Sequence, residues 1–336
     1  MKTVLAGDIG GTKTLLGLYR SEGKGGPLTC IRSELYRSAD WPDLAPMAKE
    51  FLGDIRADAA CFAVAGPVRH GKAQLTNLTW TLDQDGLAAA TGIAKVELVN
   101  DFAVLIYGLP HLSAPQVASI KPGQADPSGP LLVIGAGTGL GVAYGIPTPS
   151  GLVAMASEGA HAEFAAHSQA DWELRQWLAS DLGLDRVSTE RVVSGTGLGH
   201  GARFLLAHEA SDSHPLHGVA EDWLQPAASA ADLPAEVARL AAAQDPLATK
   251  ALDRWLGLYG SVCGDLALAG LCTGGIWLAG GTASKLLPQL QSARFVDAFL
   301  RKGRLGAALE PIPITAITDS AIGQFSAACR ARMLTA

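Results

Sequence analysis

Two segments of this 336-residue chain share one plan, "TVLAGDIGGTKTLLGLY" from Thr3 and "LLVIGAGTGLGVAYGI" from Leu131: an apolar strand, a small-residue turn holding a threonine, and a second apolar strand. Such an echo predicts two halves that each begin with a glycine-tipped hairpin. Length agrees, because about 150 residues fill one typical core. With 48% hydrophobic and 17% charged residues, both halves carry enough apolar side chains to fold.

Strand-like runs ("TVLAGDI", "KTLLGLY", "CIRSELY", "AACFAVAG", "KVELVN", "LLVIGAG", "LGVAYGI", "IWLAGG", "PITAI") alternate with helix-like segments, which is α/β patterning. Helices are expected over Trp41–Arg56, Asp171–Asp181, Gly197–His208, Leu233–Gln244, Pro246–Leu271 and Asp319–Met333. The stretch from Gly108 to Pro130, rich in Pro, Ser and Ala, reads as a domain connection. A polar stretch around His214 and His217 reads as a surface excursion with solvated histidines. The apolar span Leu256–Gly281 carries Asp265 and several glycines, so it reads as a buried helix feeding a buried strand rather than a membrane span.

A net charge of −6 excludes a broad electrostatic grip on nucleic acid or anionic membrane. The five cysteines form no CxxC pair and read as reduced core thiols. Only "TVLAG" separates Lys2 from Asp8, too short for the apolar core of a secretion signal, so a cytoplasmic protein is expected.

The glycine clusters fail the usual nucleotide motifs. Lys13 follows Thr12 rather than glycine, which excludes a Walker loop, and the dinucleotide fingerprint breaks at Leu140 and at His200. No zinc or nucleophile-elbow motif fits either: "HAEF" lacks a following P-C-x-x-C, and Ser194 lacks the upstream glycine. What remains is a hairpin turn whose N–H groups can face an anion. Asp8 would repel that anion unless a divalent cation, held by one carboxylate plus phosphate oxygens and water, lies between them. The alternative is a tight hairpin in which Asp8 satisfies turn amides.

The hairpins, with "LVNDF" at 98–102 and "WLAGGTASK" at 277–285, resemble the sugar kinase, actin and Hsp70 superfamily. More narrowly, "GDIGGT", "LTNLTW", "LVNDFAVLIYGLP", "VIGAGTGLGVAY", "ASEGAHAEFA", "TERVVSGTGL" and "GGIWLAGG" follow the order seen in bacterial glucokinases, from about Val4 to Ser326. Lys13 and Gly66 depart from that pattern, which commonly has Asn and Cys there. The related ROK sugar kinases share "GDIGGTK" but usually hold zinc through a cysteine-rich cluster that is absent here.

The resemblance implies a two-domain, actin-like (ribonuclease H-like) α/β fold with a cleft between a small domain, 1–110 plus 317–336, and a large one, 111–316. It implies ATP-dependent phosphorylation of D-glucose at the 6-hydroxyl, the entry step of glycolysis, by a homodimer. Asp101 matches the catalytic carboxylate, at a strand end where N-capping of the following helix is the competing role and both can coexist. Asn77, Asn100, Glu158, His161 and Glu190 match sugar-binding positions, with Asn77 the weakest. Gly7, Asp8, Ile9, Gly10, Gly11 and Thr12, Gly137, Thr138 and Gly139, and Gly280 and Gly281 match the ATP side, and Asp8 would hold Mg²⁺. A kinase for another hexose or amino sugar, or a sugar-responsive regulator without turnover, are the competing readings.

Overall fold

The computed structural model describes residues 1–22, 26–75, 78–225 and 231–335. Strand β1 (Lys2–Ile9) carries four consecutive buried residues, Val4 to Gly7, because it lies inside a sheet rather than at its rim. It pairs antiparallel with β2 (Lys13–Ser21) through the Gly10–Thr12 turn and parallel with the wholly buried β4 (Ala59–Val64). With β3 (Leu28–Arg37) and β5 (Val96–Asn100), the order is β3-β2-β1-β4-β5. Helix Leu44–Leu52, capped by Asp43, supplies Leu44, Met47 and Phe51 to a core shared with Leu5, Leu18 and Phe62. Helix Gln84–Thr91 precedes β5 and ends on Gly92, whose φ of 70° is the left-handed geometry that glycine adopts without strain.

Gly7 has a packing reason to be glycine. A Cβ there would lie 2.6 Å from Phe62 Cδ1 and 2.9 Å from Ile9 Cδ1, inside a fully buried cluster. Gly7→Ala is therefore expected to destabilise the protein by about 1–3 kcal/mol through overpacking, read as a lower denaturation midpoint with an unchanged m-value.

A six-stranded sheet follows the order β9-β8-β7-β10-β11-β6, where β6 is Val117–Lys121, β7 Leu131–Ala136, β8 Leu140–Thr148, β9 Gly151–Ser157, β10 Gly275–Leu278 and β11 Ile314–Ile317. β7, β10 and β11 run parallel, with the long helix Pro246–Gly270 leading into β10. No helix among the described residues is long and apolar enough to cross a membrane.

The chain divides into two compact units, one of Met1–Val117, Ala143–Ala156 and Asp319–Ala336, the other of Ala118–Val142 and Ser157–Thr318. Residues 143–156, which the sequence reading placed in the large domain, thus cluster with the first unit. Within that unit helix Ile322–Leu334 packs on β1 and β4, and Tyr19 donates to Gln324 Oε1 at 2.8 Å.

The segment read as a connection holds the boundary between the two units, after Val117, and also contains β6, whose Lys121 ammonium is buried against the carbonyls of Glu310 and Ile312. Two local expectations need correction. His214 is not solvated: its side chain is 13% exposed and Nε2 lies 3.3 Å from Asp245 Oδ2. Cys30 is exposed, whereas Cys61, Cys263, Cys272 and Cys329 are core thiols, and burial pushes Cys272 and Cys329 up to about 12.

Candidate active site

The first glycine-tipped turn is closed by Gly10 N–H donating to the Lys13 carbonyl at 3.0 Å. Ser38 pins it from the side, its backbone N–H donating to Thr12 O and its hydroxyl to Gly10 O. Gly10 has an ordinary negative φ, so its lack of a Cβ matters for access rather than for turn geometry. Gly7 and Ile9 face the core, and strand alternation therefore turns Asp8 to the other face. There it meets helix Ile322–Leu334: a Cβ on Gly323 would stand 2.4 Å from Asp8 Oδ2. Burial pushes the Asp8 carboxyl above the usual carboxylate range, and no described side chain hydrogen-bonds or ion-pairs with it. The alternative in which Asp8 satisfies turn amides is not what the hydrogen bonds show.

Asp101 follows β5 directly. Its N–H donates to Val64 O at 3.0 Å, which continues the parallel pairing of β4 and β5 by one residue. The capping role expected of Asp101 falls mainly on its neighbour, since Asn100 Oδ1 accepts from both Phe102 N–H and Ala103 N–H at 3.0 Å. Asn100 Nδ2 donates to Asp101 Oδ1 at 2.9 Å and to Gly66 O at 3.2 Å. Asp101 Oδ1 also accepts from Phe102 N–H at 3.1 Å. One carboxylate oxygen is thus fixed by two donors, which orients the group.

The turn of the other hairpin lies in the second unit. Gly137 N–H donates to Gly139 O at 2.8 Å, and a Cβ on Gly137 would meet open space. Sequence reasoning missed a partner: "GTGLG" occurs twice, at 137–141 and 195–199, and the structure joins the two copies. Gly195 N–H donates to Gly137 O at 2.7 Å, and Thr196 Oγ1 donates to Thr138 O at 2.7 Å. The second copy opens helix Gly195–Glu209, capped by Ser194 Oγ accepting from Gly197 N–H at 2.9 Å. Gly280, with φ of 83°, delivers the chain from β10 into helix Gly281–Lys285, and Thr282 Oγ1 donates to Ala136 O.

These three turns line one cavity of about 560 Å³, entirely within the second unit, with Gly137, Thr138, Gly195, Thr196, Gly281 and Thr282 on its wall. Its other lining is largely apolar, including Leu198, Trp223, Ala238 and Leu286, with Asp232 and Lys285 as the charged groups. Glycine-rich backbone beside an apolar wall is what a phosphorylated ligand with a flat base requires.

Glu190 sits beside that hairpin, its Oε2 accepting from Leu140 N–H at 2.9 Å, and a Cβ on Gly139 would collide with it at 2.5 Å. Glu158 and His161 form a pair with 3.6 Å between Oε2 and Nε2, their side chains 68% and 55% exposed. A single 3₁₀ turn, Gly159–His161, sets this spacing, closed by His161 N–H donating to Glu158 O. In the first unit Asp101 and Asn100 stand together, and in the second Glu190 stands with Gly139, whereas Asn77 lies outside the described residues.

No group of three or more His, Cys, Asp or Glu that could hold a metal occurs among the described residues. Asp8 offers a desolvated carboxylate with no hydrogen bond or ion pair from a described side chain, which suits a cation held chiefly by phosphate oxygens and water.

A family model described as glucokinase matches residues 5–334. A glucokinase of Synechocystis sp. is 39% identical over 342 residues, covering 96% of each chain, and one of Nostoc sp. is 38% identical, covering 99% of this chain and all of that one. Among solved structures, a glucokinase from an Antarctic psychrotroph superposes with a TM-score of 0.83 at 29% identity, covering 98% of this chain and 99% of the other.

Proposed function

Since the chain belongs to the glucokinase family, with its two-domain actin-like fold, and phosphorylates glucose with ATP, we propose that Asp101 is the base that takes the proton of the glucose 6-hydroxyl. The observation that carries this reading is the fixed carboxylate at the end of β5, held by Asn100 and the Phe102 amide. Orientation matters because the proton transfer needs a heavy-atom approach of about 3 Å. Asn100 both shapes the turn and, in this reading, contacts the sugar with Asn77, Glu158, His161 and Glu190. Carboxylates, amides and an imidazole suit hexose hydroxyls, each of which donates and accepts.

ATP occupies the cavity lined by Gly137, Thr138 and Gly281, where turn amides face its phosphates. The Gly10–Thr12 turn and Gly139 assist, Gly7 and Ile9 contribute backbone only, and Gly280 admits the adenosine. Asp8 would hold Mg²⁺ through water, and the ion would supply positive charge against the phosphates of ATP. Asp101 then orients the hydroxyl and accepts its proton as the new O–P bond forms to the γ-phosphorus and the bond from that phosphorus to the β,γ-bridging oxygen breaks, releasing ADP. The product is glucose 6-phosphate, which enters glycolysis in the cytoplasm, and the working form is a homodimer. In this reading 1–110 with 317–336 make the small domain and 111–316 the large one, except that 111–117 and 143–156 cluster with the first unit and 317–318 with the second.

A coupled ADP-release assay with glucose, mannose, glucosamine and N-acetylglucosamine tests the substrate. Glucose is expected to show the highest kcat/KM by about tenfold or more, since a site built to pair hydroxyls leaves polar groups unpaired with the wrong epimer. Equal turnover of mannose would refute the glucose-specific assignment.

A further inference from the structure

A nucleoside triphosphate needs a flat apolar face as well as anchored phosphates. The cavity is lined by two indoles, Trp223 and Trp255. Trp255 is 3% exposed and tied by its N–H to Ser194 O, whereas Trp223 is placed by an unusual arrangement. Trp223 ends helix Leu216–Trp223, and its indole lies against the backbone of Gly199: a Cβ there would come within 2.9 Å of Cη2. The next residue, His200, meets the same ring edge-on, with centroids 5.4 Å apart and planes at 68°. His200 is 4% exposed, and neither ring nitrogen has a hydrogen-bond partner among the described residues. Burial, with the charges of Arg203 and Arg191, lowers its pKa to about 4, so the ring is neutral at working pH. It does not line the cavity, whereas Trp223 does.

An imidazole buried with no partner among the described residues is a cost that calls for a reason beyond packing. We propose that His200 is a positioning residue for Trp223, and that Trp223 is the surface on which the nucleotide base lies. This rests on the reading that the cavity takes ATP, and it deepens that reading by naming what recognises the base. The edge of a neutral imidazole packs favourably against the indole and holds its plane. Gly199 gives the ring its seat. Base stacking on an aromatic face is sequence-tolerant, so the pair distinguishes a nucleotide from a bare polyphosphate rather than one purine from another.

The test compares the KM for ATP, the KM for glucose and the inhibition constant of inorganic tripolyphosphate in five variants. Trp223→Ala is expected to raise the KM for ATP about tenfold, leaving the other two constants within about twofold, while Trp223→Phe stays near wild type. His200→Ala is expected to raise the KM for ATP several-fold and to add nothing in the Trp223→Ala background. Full additivity would overturn the positioning role. Parallel loss of tripolyphosphate inhibition in Trp223→Ala would overturn the base-stacking role, because it would report collapse of the whole cavity. Gly137→Val, whose side chain would project into open space, separates the two readings. If it weakens ATP and Trp223→Ala does not, the base lies elsewhere and the ATP reading survives. If neither variant affects ATP, the cavity is not the nucleotide site, and both readings fail.

Discussion

Asp101→Asn is expected to lower kcat for glucose by about a hundred- to ten-thousandfold and to leave glucose affinity nearly unchanged, because with Asp101 as the proposed base it removes only the capacity to accept a proton. The substitution is almost isosteric. An amide oxygen at the Oδ1 position still accepts from Asn100 Nδ2 and from Phe102 N–H, so the turn after β5 keeps its shape. A proton acceptor acts in the transition state alone, so the loss falls on kcat. Glucose titration by calorimetry with a coupled ADP-release assay separates the two quantities. Undiminished kcat in a folded variant would exclude Asp101 as the base.

The second large effect is expected at Asp8. Asp8→Asn is expected to lower kcat/KM for Mg-ATP about a hundred- to a thousandfold, the loss typical of removing one electrostatic contact that stabilises developing charge. The same change is expected to raise the melting temperature of the ligand-free protein. Its carboxylate is desolvated, stands against Gly323 and has no hydrogen bond or ion pair from a described side chain, so an amide there removes the cost of burying a charge. The two readouts move in opposite directions. A variant losing activity together with stability would show that Asp8 supports the fold, and unchanged Mg-dependent turnover would exclude the metal role.

Some of this arrangement was legible in the chain and some was not, for physical reasons visible at particular residues. The Gly10–Thr12 and Gly137–Gly139 hairpins announce themselves because small turn residues interrupt long buried runs. β9, Gly151–Ser157, escaped because its residues alternate between exposed and half-exposed, which gives no buried run to detect. The Pro-, Ser- and Ala-rich surroundings hid β6, and the carbonyls that bury Lys121 are too distant in the chain for spacing to show. Asp101 could be singled out only by resemblance, and its division of labour with Asn100 depends on side-chain geometry that spacing does not encode. The second "GTGLG" was available as an exact internal repeat. It fails the dinucleotide fingerprint at His200, and its tie to the first copy is a contact between two loops that spacing does not encode.

The two "GTGLG" copies meet through Gly195 and Thr196, which donate to Gly137 and Thr138. Neither loop can be inherited separately without disturbing its twin. Gene-shuffling crossovers that keep this enzyme working should consequently fall outside the interval bounded by residues 137 and 199, so that both loops travel as a single cassette.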